Sequence, residues 1–248
     1  MNTALIEEHL RILRLPGALS HYRHLAEKGK DPLTYLGDVL AAEVERRHEG
    51  SIKRRIAEAR LPTLKTLETF DFTLQPNVPK LKILELASGA FIGDRRTLVF
   101  YGPPGTGKTH CLIAIGLAAC TNGHRTLFTT AAGLLTSLLD AKRDGTLARK
   151  LRWIDRFALL LVDELGYVPF EREATDLLFQ VISQRYERSS IAITTNLAFE
   201  QWTQIFPDAM AARAVIDRLI HHGSVFEFSG ESHRLRSRQG SSAKGRKA

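Results

Sequence analysis

The sequence predicts an α/β fold in which a five-stranded parallel sheet carries helices on both faces, preceded by a small all-helical module. Three observations predict it. Five short apolar stretches alternate with stretches of helical spacing over the later part of the chain, which is the rhythm of strand and crossover helix. A segment punctuated by Pro62, Pro76 and Pro79 sets them apart from what comes before. A length of 248 residues, 44% of them hydrophobic and 25% charged, suffices for one medium α/β domain with a small appendage.

Residues 1–75 are expected to form the helical module and a strap, 76–230 the α/β domain, and 231–248 a basic tail without fixed structure. In the module, Pro16, Gly17 and the turn from Gly29 to Pro32 separate three stretches of helical spacing. In the third, Leu36, Val39, Leu40 and Val44 recur at i, i+3, i+4 and i+8 opposite Asp38, Glu45 and Arg46, so this face is expected to be core. Beyond it Arg46, Arg47, Lys53, Arg54, Arg55 and Arg60 outnumber Glu49 and Glu58, either as a solvated helix or as an anion-facing one. The predicted strands are Thr97–Tyr101, Thr126–Thr129, Ala158–Val162, Ile191–Thr195 and Val225–Phe228.

The first strand runs into Gly102-Pro103-Pro104-Gly105-Thr106-Gly107-Lys108-Thr109, the pattern G-x-x-x-x-G-K-[ST] between a strand and a helix. Glycines there admit backbone conformations that a Cβ would block, so successive N–H groups point at phosphate oxygens beside a helix N-terminus. Lys108 is expected to reach the β and γ phosphates of ATP, and Thr109 to offer its hydroxyl to Mg2+. The third strand ends in Asp163-Glu164, where ligands of open α/β sheets bind. Asp163 is expected in the Mg2+ shell and Glu164 beside the attacking water. The fourth strand ends in Thr194-Thr195-Asn196, where Asn196 either orients that water or caps a helix. Arg218, late in a following helix, is either an arginine finger for a neighbouring subunit or half of a surface ion pair.

A net charge of +8 points to an anionic partner, with nucleic acid foremost. Arg234, Arg236 and Arg238, with Lys244, Arg246 and Lys247, follow the last acidic residue, Glu231. A second basic group, Lys142, Arg143, Arg149, Lys150 and Arg152, lies between the second and third strands as DNA contacts or as a solvated helix face. Cys111 and Cys120 lack zinc-site spacing and read as buried reduced thiols. The histidine pairs His21, His24 and His221, His222 have no third ligand with suitable spacing and read as solvated or capping groups. No leader is visible at the start, and the longest apolar stretch, Cys111 to Cys120, is far shorter than the roughly 18 residues of a membrane span. A cytoplasmic protein without membrane association is expected.

The spacing of Gly102–Thr109, Asp163-Glu164, Thr194-Thr195-Asn196 and Asp217-Arg218, closed by Gly230-Glu231-Ser232-His233-Arg234, resembles the AAA+ initiator clade. Leu13-Arg14-Leu15-Pro16-Gly17, Ala42-Glu43 through Arg46-Arg47, and Thr66-Leu67-Glu68-Thr69-Phe70-Asp71-Phe72 are similar to the amino-terminal region of the IstB-like transposition helper ATPases, relatives of the DnaC helicase loaders. The resemblance implies an AAA+ core without the usual helical lid. It also implies an ATPase that assembles as a homo-oligomer on duplex DNA and helps the transposase of its own insertion sequence choose or deform a target. His233 departs from the family pattern, which often has an aromatic residue there, and this leaves the role of Arg234 open. Phe70 and Phe72 either wall an adenine pocket or are core. The alternatives are a DnaC-like helicase loader, a small-metabolite P-loop kinase, and a nucleotide-gated DNA-binding module without hydrolysis.

Overall fold

The computed structural model describes residues 3–166, 171–204, 206 and 208–233; Arg234, Arg236 and Arg238 lie outside them. It separates into two compact units, Met1–Arg54 and Arg55–Ala248. The expected boundary near 75 moves to Arg54/Arg55 for a physical reason. Leu67 and Phe70, with Leu61 partly buried, pack into the apolar layer of the second unit, and Arg55 Nε donates to Cys120 O at 2.7 Å. The prolines mark the path of this strap, but burial decides its allegiance.

The first unit contains α1 (Thr3–Ile12), α2 (Pro16–Ala26) and most of α3 (Pro32–Ala59). Ala18, Tyr22 and Val39 are its buried core, flanked by Ile6, Leu10, Leu15, Leu19, Leu25 and Tyr35. Glu43, only 4% exposed, accepts hydrogen bonds from the Gly17 and Ala18 N–H groups at 2.7 and 3.3 Å, satisfying the orphan donors of the first turn of α2. Arg47 holds that carboxylate at 2.7 Å and donates to Arg14 O. The Leu15-Pro16-Gly17 and Glu43 to Arg47 segments, far apart in sequence, thus form one contact. The expected core face of α3 needs correction: Val39 is buried, whereas Leu36, Leu40 and Val44 are exposed. Two short helices cover only a narrow stripe of α3.

The second unit holds α4 (Lys80–Leu86), α5 (Ala90–Gly93), β1 (Thr97–Tyr101), α6 (Lys108–Thr121), β2 (Thr126–Thr130), α7 (Ala131–Arg143), α8 (Leu147–Asp155), β3 (Leu159–Leu165), α9 (Arg172–Arg185), β4 (Ser190–Thr195), α10 (Ala209–His221) and β5 (Gly223–Glu227). All strand pairs are parallel, in the order β2-β3-β4-β1-β5. Side chains alternate across such a sheet. Leu98, Phe100, Leu159 and Leu161 enter a core with α6, while Val99, Leu160 and Val162 enter a second core with α7, α8, α9 and α10. Both faces are therefore covered by helices, which is why the strands read as unbroken apolar runs.

α6 is apolar on nearly every side because it lies in the first of these cores, under the strap. Its thiols Cys111 and Cys120 are buried and unpaired, and burial pushes Cys111 up to about 12. The buried Arg185 donates to the carbonyls of Ile154, Phe157 and Ser190, tying the end of α8 to the start of β4. Among the described residues no helix is long and apolar enough to cross a membrane.

Candidate nucleotide-binding and catalytic site

The site lies where β1, β3 and β4 end. Gly102, Gly105 and Gly107 have φ of 141°, 83° and 96°, values that side-chain-bearing residues rarely adopt. Close approach adds to this at two of them. A Cβ on Gly102 would stand 2.0 Å from the Phe228 carbonyl oxygen, and one on Gly107 would stand 2.5 Å from the Phe70 ring. Strain and overpacking of this size each cost about 1 to 3 kcal/mol, so Gly102→Ala is expected to destabilise the chain by about 2 to 6 kcal/mol in urea unfolding without nucleotide. An unchanged midpoint would contradict the close approach.

Lys108 is buried, and its Nζ donates to the carbonyls of Gly102 and Pro103 at 2.6 and 2.7 Å. Thr109 stands in the first turn of α6, and its hydroxyl donates to Asp163 Oδ1 at 2.9 Å. Asp163, 5% exposed, takes a second hydroxyl on the same oxygen, from Thr194 of β4. The Thr194 oxygen in turn accepts the Glu164 N–H at 2.9 Å. Here the β3–β4 ladder shifts register between Val162 and Leu165, and Glu164 adopts φ 60°. That turn exposes the Glu164 side chain while Asp163 stays buried, so the two adjacent carboxylates have different surroundings. Two cavities meet the loop. A small one, about 70 Å³, is lined by Pro104, Lys108, Thr109, Glu164, Thr195 and Asn196. A larger one of about 370 Å³ lies between the loop and the strap.

The larger cavity is walled by rings that the sequence reading left open or missed. Phe70 is buried and packs edge-on to His110 with centroids 5.4 Å apart, and its ring lies 5.7 Å from that of His233. His110 Nε2 is 2.8 Å from Thr66 O, which fastens the strap to α6. Burial holds this imidazole below its ordinary value, with the charges of Lys65 and His233 adding to the effect against the opposing bond to Thr66. The His233 N–H donates to Gly105 O at 3.0 Å, so the segment after β5 returns to the phosphate-loop backbone. Gln75 brackets the same segment, donating to Glu231 O and accepting from the Gly230 N–H.

A hydroxyl and a carboxylate converging beside a glycine loop that follows a strand are the donor set of a nucleotide-bound hard cation. The family model for IstB-like ATP binding proteins matches residues 7–241. The chain belongs to that family. It is 38% identical to the ATP-binding protein of insertion sequence IS21 from Pseudomonas aeruginosa, over 94% of this chain and 90% of that one. It is equally similar to the IS5376 ATP-binding protein of Geobacillus stearothermophilus, over 94% and 95%. The fold matches AMPPCP-bound DnaA from Aquifex aeolicus with a TM-score of 0.58 at 20% identity, over 72% of this chain and 54% of that one. The DnaC helicase loader matches with a TM-score of 0.52 at 22% identity, over 66% and 96%. The five-stranded sheet of this IstB-like chain is therefore an AAA+ P-loop fold.

Not every expected site residue of the IstB-like chain gathers here. Lys108, Thr109, Asp163, Glu164 and Asn196 do. Arg218 does not: it precedes Gly223, which pairs with Thr97 at the start of β1, whereas the phosphate loop follows the other end of β1. Five strand residues separate these edges, roughly 13 Å. The Arg218 guanidinium donates to Ala214 O at 3.0 Å and lies over the Phe179 ring, 4.7 Å from its centroid, and among the described residues the expected alternative of a surface ion pair is not seen. Of the basic residues between β2 and β3, Lys142 pairs with Glu173 at 2.7 Å and Arg143 with Asp140 at 3.4 Å. Arg149 and Arg152 are exposed on α8, and Lys150 lies over Trp153, whose ring also carries Arg60.

Proposed function

We propose that this chain hydrolyses ATP with Mg2+, assembles on duplex DNA as a homo-oligomer with shared active sites, and serves the transposase of its own insertion sequence, in the cytoplasm. The observation that carries the reading is the meeting of Thr109 and Thr194 hydroxyls on Asp163 Oδ1 beside Lys108 and Glu164. The fit to magnesium rests on hard oxygen donors, a carboxylate and a hydroxyl 2.9 Å apart. When bound, the cation supplies charge neutralisation at the phosphate oxygens. Lys108 turns its Nζ from the loop carbonyls to the β and γ phosphates. Glu164, held by its own N–H on Thr194, orients and polarises the attacking water, with Asn196 lining the same small cavity. Phe70, His110 and His233 wall the base. Positioning and charge stabilisation of this kind account for most of the rate in phosphoryl transfer.

The insertion-sequence relatives support the transposition role, and the surface supports the DNA role. Arg149 and Arg152 project from α8 beside Trp153, and the charges of Lys142 and Arg143 are offset by their acids. Phosphate release is expected to rise on addition of duplex DNA, and binding to weaken linearly in log affinity against log salt. Replacing Arg149 and Arg152 together by Ala removes two phosphate contacts and is expected to reduce that slope by about 1.8, with little change in sequence preference. A slope equal to that of the wild type would remove α8 from the interface. Turnover indifferent to DNA would count against the transposition reading.

A further inference from the structure

His221 and His222 have no third ligand with suitable spacing in the sequence, yet the fold brings Glu187 to them. His221 ends α10, His222 caps it, and Glu187 stands in the turn between α9 and β4. One ligand atom from each side chain lies within 4.8 Å of the others, and His222 Nε2 is 3.0 Å from Glu187 Oε1. We propose that these three side chains form a binding site for a divalent transition metal of the zinc class, at the sheet edge opposite the nucleotide site.

Three observations carry the proposal. Two imidazoles and one carboxylate are a zinc-type donor set, too nitrogen-rich to favour magnesium or calcium. Tetrahedral bonds of about 2.0 to 2.1 Å place ligand atoms about 3.3 Å apart, inside the range seen here, and side chains about half exposed can close the difference by rotation. Their backbones are anchored: Arg95 Nη1 donates to Glu187 O at 3.1 Å, and Thr97 N–H donates to His222 O at 3.4 Å.

An outer-shell group is also present. The Tyr186 hydroxyl is 2.9 Å from His221 Nδ1 and also meets the Glu187 carboxylate, the kind of partner that fixes the orientation of metal-binding imidazoles. Arg95 and Arg218 oppose a dication here, whereas Asp217 favours one. An exposed site keeps further coordination positions open to water. A bound ion would join the α9–β4 and α10–β5 turns on either side of the helix end that carries Arg218.

Co2+ is a visible probe for such a site. The full chain is expected to bind one Co2+ saturably with d–d absorption, to lose the bands on Zn2+ addition, and to gain thermal stability from Zn2+. His222→Ala and Glu187→Gln are each expected to abolish the bands, and Tyr186→Phe to weaken binding by roughly tenfold. All three should unfold without metal at the wild-type temperature; if His222→Ala does not fold, Glu187→Gln decides alone. Bands that persist unchanged in Glu187→Gln, or a wild type without saturable Co2+ binding, would overturn the site.

Discussion

Glu164→Gln is expected to keep ATP bound at wild-type affinity while turnover falls by about 10² to 10⁴-fold, the usual contribution of a positioned acid–base group. The geometry separates the two functions. Glu164 is held at φ 60° by its own N–H on Thr194, a contact that glutamine preserves, and its exposed side chain lines the small cavity, where glutamine keeps its size and loses only its charge. Lys108→Ala is expected to behave differently. Its Nζ donates to the loop carbonyls of Gly102 and Pro103 and is proposed to turn from them to the phosphates, so its loss is expected to remove affinity itself. Fluorescent-nucleotide titration and single-turnover phosphate release, read together, distinguish the two variants. Equal turnover in wild type and Glu164→Gln would overturn the assignment of Glu164 to the attacking water.

Much of this site was legible because its parts are local. The phosphate loop is one continuous segment, and Thr97–Tyr101 emerges as β1 with the expected bounds because every residue of it is apolar or β-branched between turn signals. β3 runs on to Leu165, past the expected end at Val162, because parallel pairing resumes after the register shift at the two carboxylates. Thr194 was legible only as a strand end. Its bridging of Asp163 and Glu164 depends on β3 and β4 being neighbours, which periodicity does not encode. His110 was hidden, and Phe70 was left open between pocket wall and core, for a similar reason: the strap over the loop is set by tertiary burial of Leu67 and Phe70. The exposed face of α3 is the opposite case, since an apolar helical stripe states an affinity for apolar surface but not whether a neighbour covers it. Glu187 joins two histidines more than thirty residues away through a pair of turns, beyond the reach of any spacing rule.

The other large effect is expected at Arg218. If its guanidinium completes the active site of an adjacent subunit, Arg218→Ala should bind ATP normally and lose about 10³-fold or more in turnover. The fold makes this a sharp test. Arg218 sits at the sheet edge away from its own phosphate loop and rests on Phe179, so direct action on the reacting phosphate would have to come from a second copy. Head-to-tail assembly sets the rule for mixtures: each interface takes Glu164 from one subunit and Arg218 from the next. In an equal mixture of Arg218→Ala with Glu164→Gln chains, about one interface in four pairs an intact Glu164 with an intact Arg218, if subunits exchange at random. Turnover should therefore recover to about a quarter of the wild-type value, although each variant alone is nearly inactive. A mixture no more active than its components would place Arg218 in its own subunit's stability, and full activity of Arg218→Ala in the assembled state would move the finger to Arg213, exposed on the same helix.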